Sequence, residues 1–407
     1  LQLIHAYPLK VAINGMPGMA YVDGIKRSTS MGYPYLTTKR KYLVPLEEEP
    51  WQDGVTFTQE ILDKIELMLD KYERGLRCHP VFNSNLKDEV VTLKKYEAEK
   101  TRVFFSCPVD FLCVVRMMFL GFTRVVQRNW KVFHCVVGVN VHSKQWEEVF
   151  NHLTQHGDET MIAGDFAGFD KKFPVAFMRW AFWIIKQICV RSGNFTETEL
   201  LVMDCIEADL VNPTVNWFGM LITLCGGEVS GHQLTTIFNC FCCVLYIMYS
   251  YGTVYDVTEF FEKVAILSLG DDHVVGVASD RPRFTHTLIK EVLEVAGVGY
   301  TMAEKERPSV PYIHISEVTF LKRTFRYHDG VEGIVGPLEK QSIAKMLKMH
   351  VVPKACSREE AVAQAMAAAS MESFYHGREF FEFVERTLAG LDVSFELREQ
   401  QKQFPRR

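Results

Sequence analysis

Several features that would assign a class quickly are missing from this sequence. Neither charge is in excess: 45 Lys and Arg stand against 50 Asp and Glu, a net of −5. Composition therefore gives no hint of a nucleic-acid partner, and any basic surface has to be local. The 11 cysteines are odd in number and none has the paired spacing of a zinc site. Cys240, Cys242 and Cys243 fall in an apolar segment, where thiols act as small core groups, so a reduced intracellular setting is expected over a disulfide framework. No His-Glu-x-x-His run occurs, and His134, His142, His152 and His156 read as satisfied or exposed. A membrane-spanning helix needs about 20 mostly apolar residues; residues 111–122 are interrupted by Arg116, and Thr235 to Tyr251 is short and contains Asn239. There is no internal repeat and no low-complexity tract. The chain starts at Leu1 without an initiator Met or a cleavage signal, which suggests a fragment or a polyprotein product. What remains is ordinary globular composition, 48% apolar and 23% charged, at a length that suits one multi-lobed unit or two to three domains.

Against that background one stretch stands out. Leu267-Ser268-Leu269-Gly270-Asp271-Asp272-His273-Val274-Val275 sets two adjacent carboxylates between two apolar, β-branched runs, the pattern of a hairpin with Asp271 and Asp272 at its tip. Like charges side by side are costly unless a cation sits between them and a partner. Taken alone, Gly-Asp is also ordinary turn chemistry. A second cluster shifts the balance. Met161 to Asp165 is an apolar run ending in a carboxylate, with glycines at 164 and 168, Asp170 five residues on, and Pro174 ahead of an apolar helical segment. If the two strands are neighbours, Asp165 meets Asp271, and carboxylates from separate segments are the means of holding the two ions of a phosphoryl-transfer site. A third piece, Gly226-Gly227-Glu228-Val229-Ser230-Gly231, runs into a helix that carries Thr235 and Asn239 on one face at i, i+4 spacing.

In this order, Asp165 to Asp170, Ser230-Gly231 to Asn239, and Gly270-Asp271-Asp272 resemble motifs A, B and C of viral RNA-directed RNA polymerases, closest to the picornavirus-like group. Segments near Asn212-Pro213 and Gly336-Pro337-Leu338-Glu339 are similar to those of insect or marine picorna-like viruses. The resemblance implies an α/β right-hand fold with fingers, an antiparallel palm sheet and a helical thumb. It divides the chain into fingers (1–122, lacking an N-terminal part that relatives have), palm (123–207 and 230–330), a fingers insertion (208–229) and thumb (331–407). It implies template-directed RNA synthesis from ribonucleoside triphosphates, with Asp165 and Asp271 holding two Mg²⁺ ions (Mn²⁺ as substitute), Asp272 assisting and Phe166 completing the ligand set. Asp170, Ser230, Thr235 and Asn239 would bind the nucleotide, and Gly231 would lie against RNA. Leu269 departs from the Tyr that many relatives carry before Gly-Asp-Asp.

The resemblance extends beyond these motifs. Ser30 to Tyr35 is similar to motif G at the template entrance, which makes Thr29, Ser30, Gly32 and Tyr33 RNA-binding candidates; without it, these residues read as a connecting loop. Leu86-Lys87-Asp88-Glu89 through Lys100-Thr101-Arg102 resembles motif F. Lys100 and Arg102 are expected on one face of a strand, with Lys95 near the triphosphate, and Arg supplies bidentate phosphate contacts. Tyr300 to Lys305 is similar to motif D, whose Lys is proposed to pass a proton to pyrophosphate, so Lys305 joins the catalytic set. Thr319 to Phe325 resembles motif E, with Lys322 and Arg323 beside the primer; the plain alternative is an edge strand with protective charges. Helices are expected over Thr58 to Tyr72, Val109 to Lys131, Pro174 to Val190 (core under the sheet) and Phe284 to Ala296. Ser357 to Glu360 reads as a capping box opening a thumb helix. The implied partners are an RNA template and primer, NTPs, and other viral replication proteins including a protein primer. The implied location is the host cytoplasm at membrane-associated replication complexes. Two rival readings share the fold: a reverse transcriptase, and a module that binds RNA without chemistry.

Overall fold

The computed structural model describes residues 3–89, 91, 93–304, 307–349 and 356–390. In chain order the elements that frame the site are helix α1 (Gln59–Glu73), strands β1 (Val81–Leu86) and β2 (Val103–Ser106), and helix α2 (Val109–Arg128). Strand β3 (Met161–Ala167), helices α3 (Val175–Ser192) and α4 (Glu197–Val211), and strands β4 (Thr214–Trp217) and β5 (Met220–Thr223) follow. The centre of the chain is helix α5 (Thr235–Gly252), the strand pair β6 (Val264–Leu269) and β7 (Asp272–Val277), helix α6 (His286–Val295) and strand β8 (Gly299–Met302). A short pair, β9 (Arg326–His328) and β10 (Gly333–Val335), precedes helices α7 (Lys340–Lys348), α8 (Arg358–Phe374) and α9 (Arg378–Ala389).

The central sheet has the order β8-β3-β7-β6 and is antiparallel throughout. Side chains alternate across it with the two-residue period of a strand. Ile162, Phe166, Val264, Ile266, Val275, Val277 and Tyr300 face the helices and join the main core with α2, α3 and α5. Met161, Ala163, Leu267 and Val274 face the other way, onto a second core built around Trp146, Phe320 and Phe325. Both faces of β3, β6 and β7 are therefore covered, while Thr301 on the edge strand β8 is exposed.

A second four-stranded sheet, order β2-β1-β4-β5, joins segments far apart in sequence, with β1 and β4 parallel. It draws residues 214–223 back onto residues 81–106. The expected lobe boundaries at 122 and 207 fall inside α2 and α4, both continuous helices, so no linker marks either position.

Helix α5 has the length and apolar composition of a membrane span, contrary to the expectation from its sequence. Its residues Ile237, Phe238, Cys240, Phe241, Cys242, Cys243, Tyr246, Ile247 and Tyr251 are buried in the main core. Asn239 is the polar break in this apolar run, and its side chain lies beside the Glu228 carboxyl. Helix α3 also differs from expectation: Phe177, Met178, Ala181, Phe182 and Ile185 are buried, but Trp180 and Trp183 lie on the exposed face. The capping box is present, with Ser357 Oγ accepting from the Glu360 amide and the Glu360 carboxylate accepting from the Ser357 amide.

Candidate active site

Strand register brings the carboxylates together. Gly164 of β3 pairs with His273 of β7, so the next positions outward, Asp165 and Asp272, emerge at the same end of the sheet. Asp165 projects from the face of Ala163, and Asp272 from the face of Val274, which is the same face. Gly270 and Asp271 close the β6–β7 turn, with Leu269 opposite Asp272 and Gly270 in a left-handed conformation at φ 68°. Helix α5 supports this turn from below: the Gly270 amide donates to Cys240 Sγ at 3.1 Å.

Two further groups lock the hairpin from behind. His273 Nδ1 lies 2.8 Å from the Asp271 carbonyl, which can only accept, so Nδ1 carries the proton and Nε2 accepts from the Tyr300 hydroxyl at 2.7 Å. Burial holds the His273 pKa down at about 4, keeping the ring neutral in this tautomer. Gly164 makes room for Tyr300: a Cβ there would stand 2.1 Å from its phenol ring.

The electrostatics fit a hard cation. Asp271 stands at the solvent edge, yet its pKa is raised, first by the water the surrounding protein displaces and then by Asp165 and Asp170; Arg102 pulls it back. Asp272 is pushed up to about 6 by burial, with Asp271 and Asp165 adding to the effect and the Leu321 amide opposing it. Two carboxylates whose charge is penalised by burial and by Asp165, with all three offering only oxygen, suit a hard divalent ion. Phe166 is buried against Phe169, Tyr246, His273 and Tyr300, so only its backbone carbonyl is able to ligate. Another group with metal-ligand chemistry, Asp158, Glu159 and His314, lies before the opposite end of β3, with about 13 Å of strand from Met161 to Asp165 between them.

The turn after β3 is fixed by aromatic packing. Phe166–Phe169 and Phe169–Phe173 ring centroids are 4.9 and 4.4 Å apart, and Phe173 stacks on Tyr246 of α5 at 5.6 Å. This turn leaves Asp170 exposed while its carbonyl accepts from the Glu228 amide at 2.7 Å. Asp170 does not cap α3, whose N-cap is Pro174 and which has no side-chain cap. Ser230 Oγ accepts from the Phe105 amide at 3.4 Å, and Gly231, at φ 97°, brings its α-carbon against the Phe105 carbonyl, where a Cβ would stand at 2.7 Å. The loop before α5 is thus docked onto β2, and Thr235 Oγ1 donates to the His232 carbonyl at 3.1 Å.

A family model for viral RNA-dependent RNA polymerases matches residues 2–391. The chain belongs to this polymerase family. It is 27% identical to the replicase polyprotein of Cricket paralysis virus over 88% of the chain, and 27% identical to that of Drosophila C virus over 95%. It is also 26% identical to the RNA1 polyprotein of Tomato torrado virus over 91% of the chain. The chain spans about a fifth of these relatives' own length: 21%, 23% and 18%. The solved structure of a Sicinivirus 3Dpol RNA-dependent RNA polymerase superposes with a TM-score of 0.80 at 18% identity, covering 98% of this chain and 80% of that one. The right-hand polymerase fold follows, and the reverse-transcriptase and non-catalytic readings are not favoured.

The remaining polymerase motifs are placed unevenly. Residues 93–97 form a helical turn and β2 starts only at Val103, so Lys100 and Arg102 precede the strand and share no strand face. Arg102 is nevertheless close enough to act on Asp271, and its Nη1 lies 3.5 Å from Glu89, which also holds Lys87 at 3.4 Å. The Lys95 side chain and Lys305 lie outside the described residues. Motif G is a braced loop. Gly32 is buried against the Cys107 carbonyl and presents nothing to solvent, while Thr29 Oγ1 accepts from Lys39 at 2.8 Å and Gly32 N donates to Ser30 Oγ at 3.0 Å. Only Thr29 among the four is well exposed, with Tyr33 and Ser30 partly so.

Motif E is a tight turn and not an edge strand. Phe320 and Arg323 exchange backbone hydrogen bonds at 2.8 Å, with Leu321 and Lys322 both left-handed at φ 55° and 59°. The Leu321 amide donates to Asp272 Oδ2 at 2.8 Å, joining the turn to the catalytic end of the sheet. Lys322 is exposed. Arg323 overturns its RNA-binding assignment: it is buried and paired bidentately with Glu372 of α8 at 2.8 and 2.6 Å. Its fork also donates to the Gly336 carbonyl, so it ties the palm to the thumb.

Proposed function

We propose that Asp165 and Asp271 are the ligands of two Mg²⁺ ions, replaceable by Mn²⁺, in an RNA polymerase that extends an RNA 3′ end on an RNA template. When bound, such ions lower the pKa of the attacking 3′-hydroxyl and neutralise the charge on departing pyrophosphate. One observation carries this reading: Asp165 and the Asp271–Asp272 pair, about a hundred residues apart, emerge at one sheet end, where Asp165 raises the cost of ionising both hairpin carboxylates. Asp272, held by the Leu321 amide, orients the turn and leaves the first coordination positions to its neighbours.

The other residues act on the substrates. Arg102, steadied by Glu89 and facing Asp271, takes the triphosphate with its guanidinium fork. Asp170 and Asn239 flank the place where the sugar of that nucleotide lies and read its 2′-hydroxyl; a site built to bond a hydroxyl rejects the analogue that lacks it. Thr235 and Ser230 hold the loop that presents Asn239. Lys322 neutralises primer phosphate, and Thr29, Ser30 and Tyr33 line the template's approach. Lys100 adds positive charge near the triphosphate. Other viral replication proteins, a protein primer among them, are the expected partners.

Asp165→Asn and Asp271→Asn each remove a ligand charge without changing shape. Both are expected to abolish divalent-dependent primer extension while template affinity, measured by filter binding, stays within about threefold of wild type. Near-normal extension by either folded variant would overturn the metal assignment.

A further inference from the structure

Behind the proposed sugar-reading pair lies a buried acid that the reaction as described does not use. Glu228 sits in the loop before α5, with its side chain only 3% exposed, and neither carboxyl oxygen has a hydrogen-bond partner. Among the described residues no Lys or Arg forms an ion pair with it. An isolated carboxylate in such a place is held neutral by the cost of desolvation, and burial is also the first cause raising its pKa well above the usual range, with Asp170 contributing.

Two other groups around it are incomplete in complementary ways. His232, 1% exposed, accepts at Nδ1 from the Leu234 amide at 3.3 Å. Its proton therefore sits on Nε2, which points at Glu228 Oε1 from 3.6 Å. The ring stays neutral because burial lowers its pKa to about 3. On the other side, the Asn239 side chain lies close enough to the Glu228 carboxyl to lower its pKa against the larger effect of burial, and Asn239 Oδ1 is a buried acceptor without a donor. A neutral carboxyl has one acceptor to offer His232 and one O–H to offer Asn239. Those are the two functions the neighbours lack. The backbone of Glu228 closes the set, since its amide donates to the Asp170 carbonyl at 2.7 Å.

We infer that Glu228 is a positioning residue for sugar selection. As a neutral acid it accepts from His232 Nε2 and donates to Asn239 Oδ1, which turns the Asn239 amide nitrogen toward Asp170 and the 2′-hydroxyl of the incoming nucleotide. An amide has two orientations of similar shape but opposite hydrogen-bonding sense. With Oδ1 engaged behind, only the donor end faces the sugar. The same loop and the same acid thereby link Asp170 and Asn239 into one unit: the backbone of residue 228 holds one, and its side chain holds the other. This inference rests on the reading of Asn239 as a contact to the ribose.

The test measures kcat/KM for a matched ATP and dATP pair in the full chain, with Glu228→Gln, Glu228→Met, Asn239→Ala and the Glu228→Met/Asn239→Ala double variant. Gln keeps one acceptor and one donor; Met fills similar volume with neither. Glu228→Met is expected to shrink the ATP-over-dATP preference by roughly five- to tenfold, the weight of one hydrogen bond. Glu228→Gln is expected to stay within about twofold of wild type on the same scale. Adding Glu228→Met to Asn239→Ala should change nothing further, because the acid acts through that amide. If Asn239→Ala leaves the preference unchanged, the ribose reading falls and this inference with it. If Asn239→Ala lowers the preference but Glu228→Met does not, only the role of Glu228 is overturned. Glu228→Gln as damaging as Glu228→Met would overturn the neutral-acid relay. Thermal unfolding of each variant separates these results from loss of fold, and the Gln variant, isosteric with the acid, keeps the test decisive if Met unfolds.

Discussion

Arg102 shows how a single charge is set to work at this site. Its side chain is 67% exposed and its salt bridge to Glu89 is long, so the pair contributes little to stability. Its field nonetheless reaches Asp271, and the proposed triphosphate contact rests on that proximity. Arg102→Ala is expected to raise the apparent KM for all four NTPs alike, by about ten- to hundredfold for the loss of about 1.5–3 kcal/mol of charge-assisted hydrogen bonding. Steady-state extension with each NTP in turn checks it; a defect confined to one base, or to template affinity, would assign Arg102 elsewhere. At this scale the sequence is readable where the signal is local. An apolar run ending in Asp165 and a hairpin tip at Asp271 announce themselves, whereas Glu228 and His273 matter through what packs around them. Arg323 misleads for the same reason, because a basic residue next to Lys322 has one spelling whether it meets RNA or a buried Glu372.

Among the elements, the motif E turn and α8 are held by that buried pair. Arg323 and Glu372 side chains are each 9% exposed, and the guanidinium also satisfies the Gly336 carbonyl. Breaking a buried pair from one side leaves an uncompensated charge, at a cost of about 3–5 kcal/mol. Glu372→Ala should therefore lower the unfolding temperature and loosen the thumb, while Arg323→Met/Glu372→Leu should recover most of the loss. Calorimetry of the three proteins decides it; a Glu372→Ala variant as stable as wild type would show that the pair does not anchor the thumb. The turn itself was beyond sequence reading. Leu321 and Lys322 adopt left-handed backbone that Gly or Asn usually marks, and what holds them is a backbone amide on Asp272, a donor every residue carries. Helix boundaries were easier: α1, α2 and α6 follow their apolar residues within a few positions, because α1 and α6 each bury one stripe against the core and α2 is buried on nearly every side.

Across the whole molecule, the palm sheet is the part that converts sequence into geometry. With the central strands covered on both faces, Asp165, Asp271 and Asp272 lie at the strand ends, where the sheet opens to solvent. The right-hand polymerase fold was legible from motif order, but the parallel pairing of β1 with β4 was not, since contacts across more than a hundred residues leave no local pattern. The same holds for α5, whose composition alone suits a membrane and whose burial shows it to be the spine under the Gly-Asp-Asp turn. The central claim is that this chain joins the ribonucleotide its template specifies to an RNA end. A primer annealed to a heteropolymeric RNA template, offered each NTP and each dNTP singly with Mg²⁺, tests it most directly. The account predicts extension by one nucleotide with the complementary NTP, little with the matching dNTP, and none without a divalent ion or with Asp165→Asn. Incorporation indifferent to template, or preferring the dNTP, or undiminished in Asp165→Asn, would contradict it.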